Sequence, residues 1–234
     1  MKNNSEFASF EKRIGYVFKD KQLVFQAFLH RSYLNEHAEI KIDHNERLEF
    51  LGDAVLELIV TDALFLAYPH KTEGDLTAYR AALVNANIIS EVARDLGMNE
   101  YLLLSKGEAK DTGKARSYIM ANAYEALIGA IYLDSGYASA EKFVKGTILL
   151  HAKRIVEEGL FRDSKSLIQE KAQQYFSVTP QYKVMAEHGP DHDKQFMVAI
   201  YFGQEKIATG EGKSKQEAEQ KAAQVALLKK KWLD

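Results

Sequence analysis

A single change of hydrophobic period constrains this chain more than any other feature. Up to about residue 158, apolar side chains recur every three to four residues, as amphipathic helices require. Leu23, Phe25, Phe28 and Leu29 show the pattern, as do Leu48, Leu51, Val55, Leu58 and Ile59. Pro69 and Gly97 mark helix ends, Glu73-Gly74-Asp75 opens a further helix, and 86–96 reads as another. No strand is expected here. Segment 105–117 is polar and contains glycine, so it is expected to be an exposed loop, with helix resuming at Tyr118 and again from Ser139. Beyond Glu157-Glu158-Gly159 the pattern changes to a helix at 165–176 and three short β-type runs at 181–186, 195–202 and 205–210. A helix rich in Ala, Lys and Glu then runs from Ser214 to about Lys230. The expected fold class is an all-α domain over 6–156, a linker at 157–163, and a small α+β domain over 164–232. That second domain has the order α-β-β-β-α, with both helices on one face of the sheet.

Composition narrows the chemistry. The chain has no cysteine, which removes disulfides, thiol catalysis and zinc-thiolate sites together and fits a reducing cytoplasm. No apolar run is long enough to span a bilayer, and residues 1–6 lack the hydrophobic core of a signal peptide, so a cytoplasmic location away from membranes is expected. Net charge is −2. Residues 1–162 carry 20 Lys+Arg against 23 Asp+Glu, and residues 163–234 carry 11 against 10. Any nucleic-acid contact must therefore come from local clusters, because the overall field does not attract phosphate.

The segment Asn45-Glu46-Arg47-Leu48-Glu49-Phe50-Leu51-Gly52-Asp53-Ala54-Val55-Leu56 is the most informative. Glu46, Glu49 and Asp53 lie at i, i+3 and i+7 and line one face of a helix, while Leu48, Leu51 and Val55 line another. Carboxylates concentrated on one stripe repel unless a cation neutralises them, and an all-oxygen ligand set selects a hard ion, Mg²⁺ or Mn²⁺. A second helix offers Asn122 and, three residues on, Glu125. If the two helices pack face to face, Glu49, Asp53, Asn122 and Glu125 enclose a metal. Taken singly, each of these residues is equally at home on a solvated helix surface. Gly52, inside an apolar helix where glycine costs about 1 kcal/mol against alanine, argues for a close approach at that point.

The string NERLEFLGDAVL resembles the signature of the ribonuclease III family. LHRSY at 29–33, EGDLT at 73–77 and EALIGAIYLDSGY at 125–137 follow in the same order. Together with the C-terminal segment, the resemblance to bacterial ribonuclease III extends over about residues 8–231. It implies the helical nuclease fold and an endoribonuclease specific for double-stranded RNA. Such an enzyme works as a homodimer with Mg²⁺, or Mn²⁺ as substitute, and needs no small-molecule cofactor. The products implied carry 5′-phosphate and 3′-hydroxyl ends with two-nucleotide 3′ overhangs, from ribosomal precursors, messenger RNAs and other structured RNAs. Glu49, Asp53 and Glu125 match the family's metal-binding and water-activating carboxylates. Glu46 and Glu73 match secondary acidic positions at the edge of the catalytic valley, and Phe50 matches an aromatic that enters a socket on the partner subunit. Phe50 beside Leu51 also fits an ordinary core residue. Asn122 departs from the usual aspartate: it keeps one ligating oxygen and loses one charge. An alternative is therefore a dimer that grips double-stranded RNA and cuts it poorly.

The C-terminal segment resembles a double-stranded-RNA-binding domain in SKSLIQE at 164–170, GPDHDKQF at 189–196 and GEGKSK at 210–215. A-form RNA exposes a shallow minor groove and hides its major groove, so a reader needs polar groups for two minor grooves and cations for the phosphates between them. Ser166, Gln169 and Glu170 suit the first groove, His192 the second, and Lys194, Lys213 and Lys215 the phosphates. Ser214, with Glu217 three residues on, has the pattern of a capping box. Lys229-Lys230-Lys231 reads as a solvated helix end.

Overall fold

The structure is a computed structural model that describes residues 4–157, 164–190 and 194–232. The chain divides into two compact units, 1–158 and 159–234. The expected linker at 157–163 falls, apart from Glu157, outside the described residues.

The first unit is helical: α1 (Asn4–Ile14), α2 (Lys21–Ala27), α3 (Arg31–Leu34), α4 (Glu46–Ala67), α5 (Glu73–Leu83), α6 (Ala86–Asp95), α7 (Lys114–Ser135), α8 (Tyr137–Lys145) and α9 (Ala152–Glu157). Among the described residues the only β pairing in this unit is the isolated bridge between Leu29 and Leu103. Helix α7 is its axis. Ala121, Ala123, Tyr124 and every residue from Ala126 to Ile131 are buried, so the helix is apolar around most of its circumference and packs against α2, α4, α6 and α8. Helix α4 lies across it with almost no spacer. A Cβ on Gly52 would collide with the backbone carbonyl of Glu125, and one on Gly129 with the carbonyl of Leu48. The pair of glycines lets the two backbones touch, as the isolated Gly52 suggested.

Segment 105–117 is less open than its composition implied. A 3-10 turn spans Glu108–Lys110 and α7 starts at Lys114, four residues early. Arg116 explains the difference: its guanidinium donates to Asn99 Oδ1 at 3.1 Å and to the Glu108 carbonyl at 2.7 Å, folding the segment back onto the body.

The second unit has α10 (Ser164–Phe176), the antiparallel sheet β1-β2-β3 (Gln181–His188, Gln195–Phe202, Glu205–Gly212) and α11 (Lys215–Lys229). Ile168 and Ala172 of α10 and Ala222, Ala223, Ala226 and Leu227 of α11 bury against Ile200, Phe202, Ile207 and Ala208 of the sheet. Gly210 and Gly212 admit α11 closely, since a Cβ on either would strike that helix at Ala222 or Ala218. Strand β1 runs two residues further than its apolar alternation, because a bulge between Val184 and Ala186 breaks the period while pairing continues to His188. Ser214 caps α11 by accepting from the Glu217 N–H at 3.1 Å, but Glu217 accepts from the Lys213 N–H at 2.9 Å and not from the N-cap residue, so the reciprocal box is displaced by one position.

Candidate functional site

The α4–α7 crossing decides which acidic side chains meet. Glu49 and Asp53 project from successive turns of α4, Asn122 and Glu125 from successive turns of α7, and the glycine contact holds the two turns together. Glu49 is half-buried, and its carboxyl is raised above the ordinary value. Burial is the main cause, followed by the charge of Glu46, with a smaller contribution from Asp53. A hydrogen bond from the Asn122 side chain opposes that rise. The Glu125 carboxyl is pushed up to about 7, by burial first and then by the charges of Asp53 and Glu49. Carboxylates from two helices thus act on one another across the crossing.

The group is assembled but not closed. Among the described residues, no three His, Asp or Glu side chains surround a single point tightly enough to form a ready-made cation cage. Beside Glu49 opens a cavity of about 270 Å³ lined by His30, Arg31, Asn45, Glu46, Glu49 and Asn122. Its floor is well anchored. Buried Asn45 donates from its side chain to the Ala27 carbonyl and from its backbone to Leu29, tying the start of α4 to the end of α2. Glu46 lies at the exposed rim, 3.7 Å from Arg31 and 3.8 Å from His44. Burial lowers the His30 pKa from its ordinary value, outweighing the raising effect of Glu108 and Glu46, while Arg31 and His44 lower it further.

Glu73 is not brought to this group in the single chain. It begins α5 and lines a different cavity, with Thr61, Phe65, Leu76, Thr77 and Arg80. Phe50 is not a core residue: it is 82% exposed. It heads a stripe along the outer face of α4 that continues through Ala54, Leu58 and Phe65, the last two also exposed.

In the second unit Ser166, Gln169 and Glu170 all lie on the exposed side of α10, opposite buried Ile168 and Ala172. Lys194 and Lys215 come together, 3.5 and 3.3 Å from the two carboxylate oxygens of Glu187 on β1. Lys215 also stands over the Phe196 ring at 5.6 Å. Lys213 is exposed next to them. His192 lies outside the described residues.

Sequence reasoning missed His30, Arg31 and Asn45 as lining residues, and Glu187 as the acid that gathers the lysines. His30 and Arg31 sit inside the LHRSY motif but have no carboxylate spacing to give them a role. Glu187 carried no sequence signal at all, because only strand pairing brings it under the start of α11.

Two family models match the chain, one described as ribonuclease-III-like over residues 20–152 and one as the double-stranded RNA binding motif over residues 164–230. Ribonuclease 3 of Borreliella burgdorferi is 44% identical over 223 residues, which is 95% of this chain and 91% of the relative. Ribonuclease 3 of Enterococcus faecalis is 41% identical over 228 residues, 96% of this chain and 97% of the relative. Among solved structures, the nuclease domain of ribonuclease III from Campylobacter jejuni has a TM-score of 0.56 at 39% identity, covering 64% of this chain and 97% of that one. A second structure of that domain, with a TM-score of 0.54 and 39% identity over 62% of this chain and 94% of its own, is described as flexible in a region involved in dimer formation.

Proposed function

The chain belongs to the ribonuclease III family, and on that footing we propose that it is a divalent-metal-dependent endonuclease that hydrolyses phosphodiester bonds in double-stranded RNA. The observation that carries the reading is the α4–α7 crossing, which sets Glu125 against Glu49 and Asp53 closely enough to raise its carboxyl to about 7. Such crowding destabilises the folded chain, and a hard cation relieves it. The donor set fits that cation: three carboxylates and one amide oxygen, with no nitrogen or sulfur ligand among them. Glu49, Asp53, Asn122 and Glu125 would hold Mg²⁺ or Mn²⁺. When bound, the ion lowers the pKa of a coordinated water and offsets charge developing on the phosphate.

The remaining work falls to the chain itself. Asn122 steadies the Glu49 carboxylate through its amide, and Glu46 and Glu73 are secondary acidic groups of lower rank. The exposed stripe of Phe50, Leu58 and Phe65 is the surface through which two copies would form a homodimer. Association removes that apolar area from water and gives each duplex strand its own carboxylate group. In the second unit, Ser166, Gln169 and Glu170 offer polar groups to a minor groove, while Lys194, Lys213 and Lys215 offer cations to phosphates, and His192 is retained as a contact to a second groove. Products with 5′-phosphate, 3′-hydroxyl and short 3′ overhangs, and a role in cytoplasmic processing of ribosomal precursors and other structured RNAs, complete the proposal.

The test is cleavage of a labelled RNA duplex in Mg²⁺, Mn²⁺ and EDTA. The unaltered protein is expected to cut with either metal and not in EDTA, and Glu125→Ala to bind the duplex without cutting it. If only Asn122→Asp cuts, the protein is a duplex-binding dimer and not a nuclease. Loss of duplex binding in Glu125→Ala would remove that residue from the hydrolytic role.

A further inference from the structure

His30 occupies a position where its ring does two things, and only one of them is accounted for. It is the N-cap of α3: Nδ1 accepts from the Ser32 backbone N–H at 3.3 Å and lies 2.8 Å from Ser32 Oγ. That hydroxyl oxygen also accepts from the Ser105 N–H at 3.1 Å, and the His30 backbone N–H donates to the Leu103 carbonyl at 3.2 Å. The ring is thus fixed from two segments of the chain. A ring nitrogen that accepts an N–H bond carries no proton, so the proton sits on Nε2. Among the described residues, no hydrogen-bond acceptor meets Nε2.

Capping alone is a poor reason for histidine here. Ser, Thr, Asp and Asn are the preferred caps, and any of them fills the role without a second ring nitrogen. The edge that does not cap belongs to a residue lining the 270 Å³ cavity beside Glu49 and Asn122. The acceptors already in that lining do not take its proton, so Nε2–H is open to solvent or to an acceptor on a bound ligand. Next to it, Arg31 is 72% exposed and only loosely paired with Glu46. A neutral donor and a cation at the edge of an acidic group fit an anion that sits across the carboxylates.

We propose that His30 is a substrate-binding residue whose Nε2–H donates to a non-bridging phosphate oxygen of the RNA strand presented to Glu49 and Glu125, with the Arg31 guanidinium supplying charge beside it. The inference rests on the nuclease reading above. It makes His30 a fixed donor that sets the phosphate in place without adding a charge that would compete with the cation.

Two conservative variants separate this role from the cap. In His30→Asn the amide oxygen takes the place of Nδ1 and keeps the cap, but nothing reaches the position of Nε2. In His30→Gln the amide nitrogen reaches that position and the cap is lost. With duplex RNA at saturation in Mg²⁺, His30→Asn is expected to cut about 100- to 1,000-fold more slowly, the loss typical of one missing donor to a reacting oxygen. Its melting temperature should match that of the unaltered protein, and its duplex affinity in EDTA should fall by no more than about tenfold. His30→Gln should melt lower and yet cut within about fivefold of the unaltered rate, because the donor is retained. Equal cutting by His30→Asn and the unaltered protein overturns the inference and leaves the nuclease reading intact, and so does cutting in both variants that merely follows their melting temperatures. An unaltered protein that cuts no duplex in either metal overturns the nuclease reading, and this inference with it.

Discussion

Glu125 shows how a single side chain couples stability to chemistry. Burial against α4 and the charges of Asp53 and Glu49 raise its carboxyl from 4.5 to about 7. The folded chain therefore binds more protons than the unfolded one between those values, and linkage requires stability to fall as pH rises through that window. Below about 4.5 the penalty is absent; above about 7 it is complete. Allowing for partial exposure of the group, it amounts to on the order of 2 kcal/mol. Removing the ionisable group should abolish it. In EDTA, Glu125→Gln is expected to melt higher than the unaltered protein at pH 8 and at the same temperature near pH 4.5, and Mg²⁺ should raise the melting temperature of the unaltered protein only. Melting curves across pH 4.5–8 with and without metal check the sign. A Glu125→Gln protein no more stable than its parent at pH 8 would mean that the carboxylates are not crowded in solution.

At the scale of elements, the group depends on two helices approaching more closely than side chains normally allow. Gly52→Ala places a methyl on the Glu125 carbonyl, and the helices must separate or tilt to admit it. Overpacking of this kind costs roughly 1–3 kcal/mol, and because Glu49 and Asp53 move with α4, metal-dependent cutting should fall by more than stability does. Gly74→Ala is the control. It lies within α5 with only Thr72 Oγ near its missing Cβ, at 3.8 Å, so relief of backbone entropy should leave stability level or higher by up to about 1 kcal/mol. Thermal unfolding and initial rates on the two variants separate the cases.

The same elements show what was legible beforehand. The spacing of Glu46, Glu49 and Asp53, and the oddity of Gly52 among apolar neighbours, are local facts, and both survive in the folded chain. The partner of that glycine was not legible, because Gly129 is one small residue among several on α7 and only the crossing selects it. The early start of α7 was hidden for a similar reason: Lys114 to Ser117 look like loop until Arg116 finds Asn99 and Glu108. Strand β1 was underestimated where its bulge breaks the alternation. Phe50, which a local reading could leave in the core, is exposed because the buried face of α4 is already taken by Leu48, Val55, Leu56 and Ile59.

For the whole molecule, the near-neutral charge balance makes assembly and RNA binding depend on particular patches. Phe50→Asp puts a charge at the head of the apolar stripe of α4. Two copies would then bury that charge against each other, so the variant is expected to sediment as a monomer and the unaltered protein, at the same concentration, as a dimer, with the helical signal the same in both. A dimer that persists would move the interface off α4. Duplex binding is expected to depend in the same way on a few lysines. With a net charge of −2 the overall field gives no help, so each phosphate contact should be countable through its salt dependence, at a slope of about 0.9 per contact in log affinity against log salt. The combined change Lys213→Ala and Lys215→Ala should therefore flatten that slope by about 2 and weaken binding to all duplex sequences alike. Lys229 and Lys231, exposed at the far end of α11, should be replaceable with no change in slope. A slope that responds equally to both pairs would mean that α11 offers diffuse charge and not an RNA-facing end, and the contact surface would have to be sought elsewhere in the second unit.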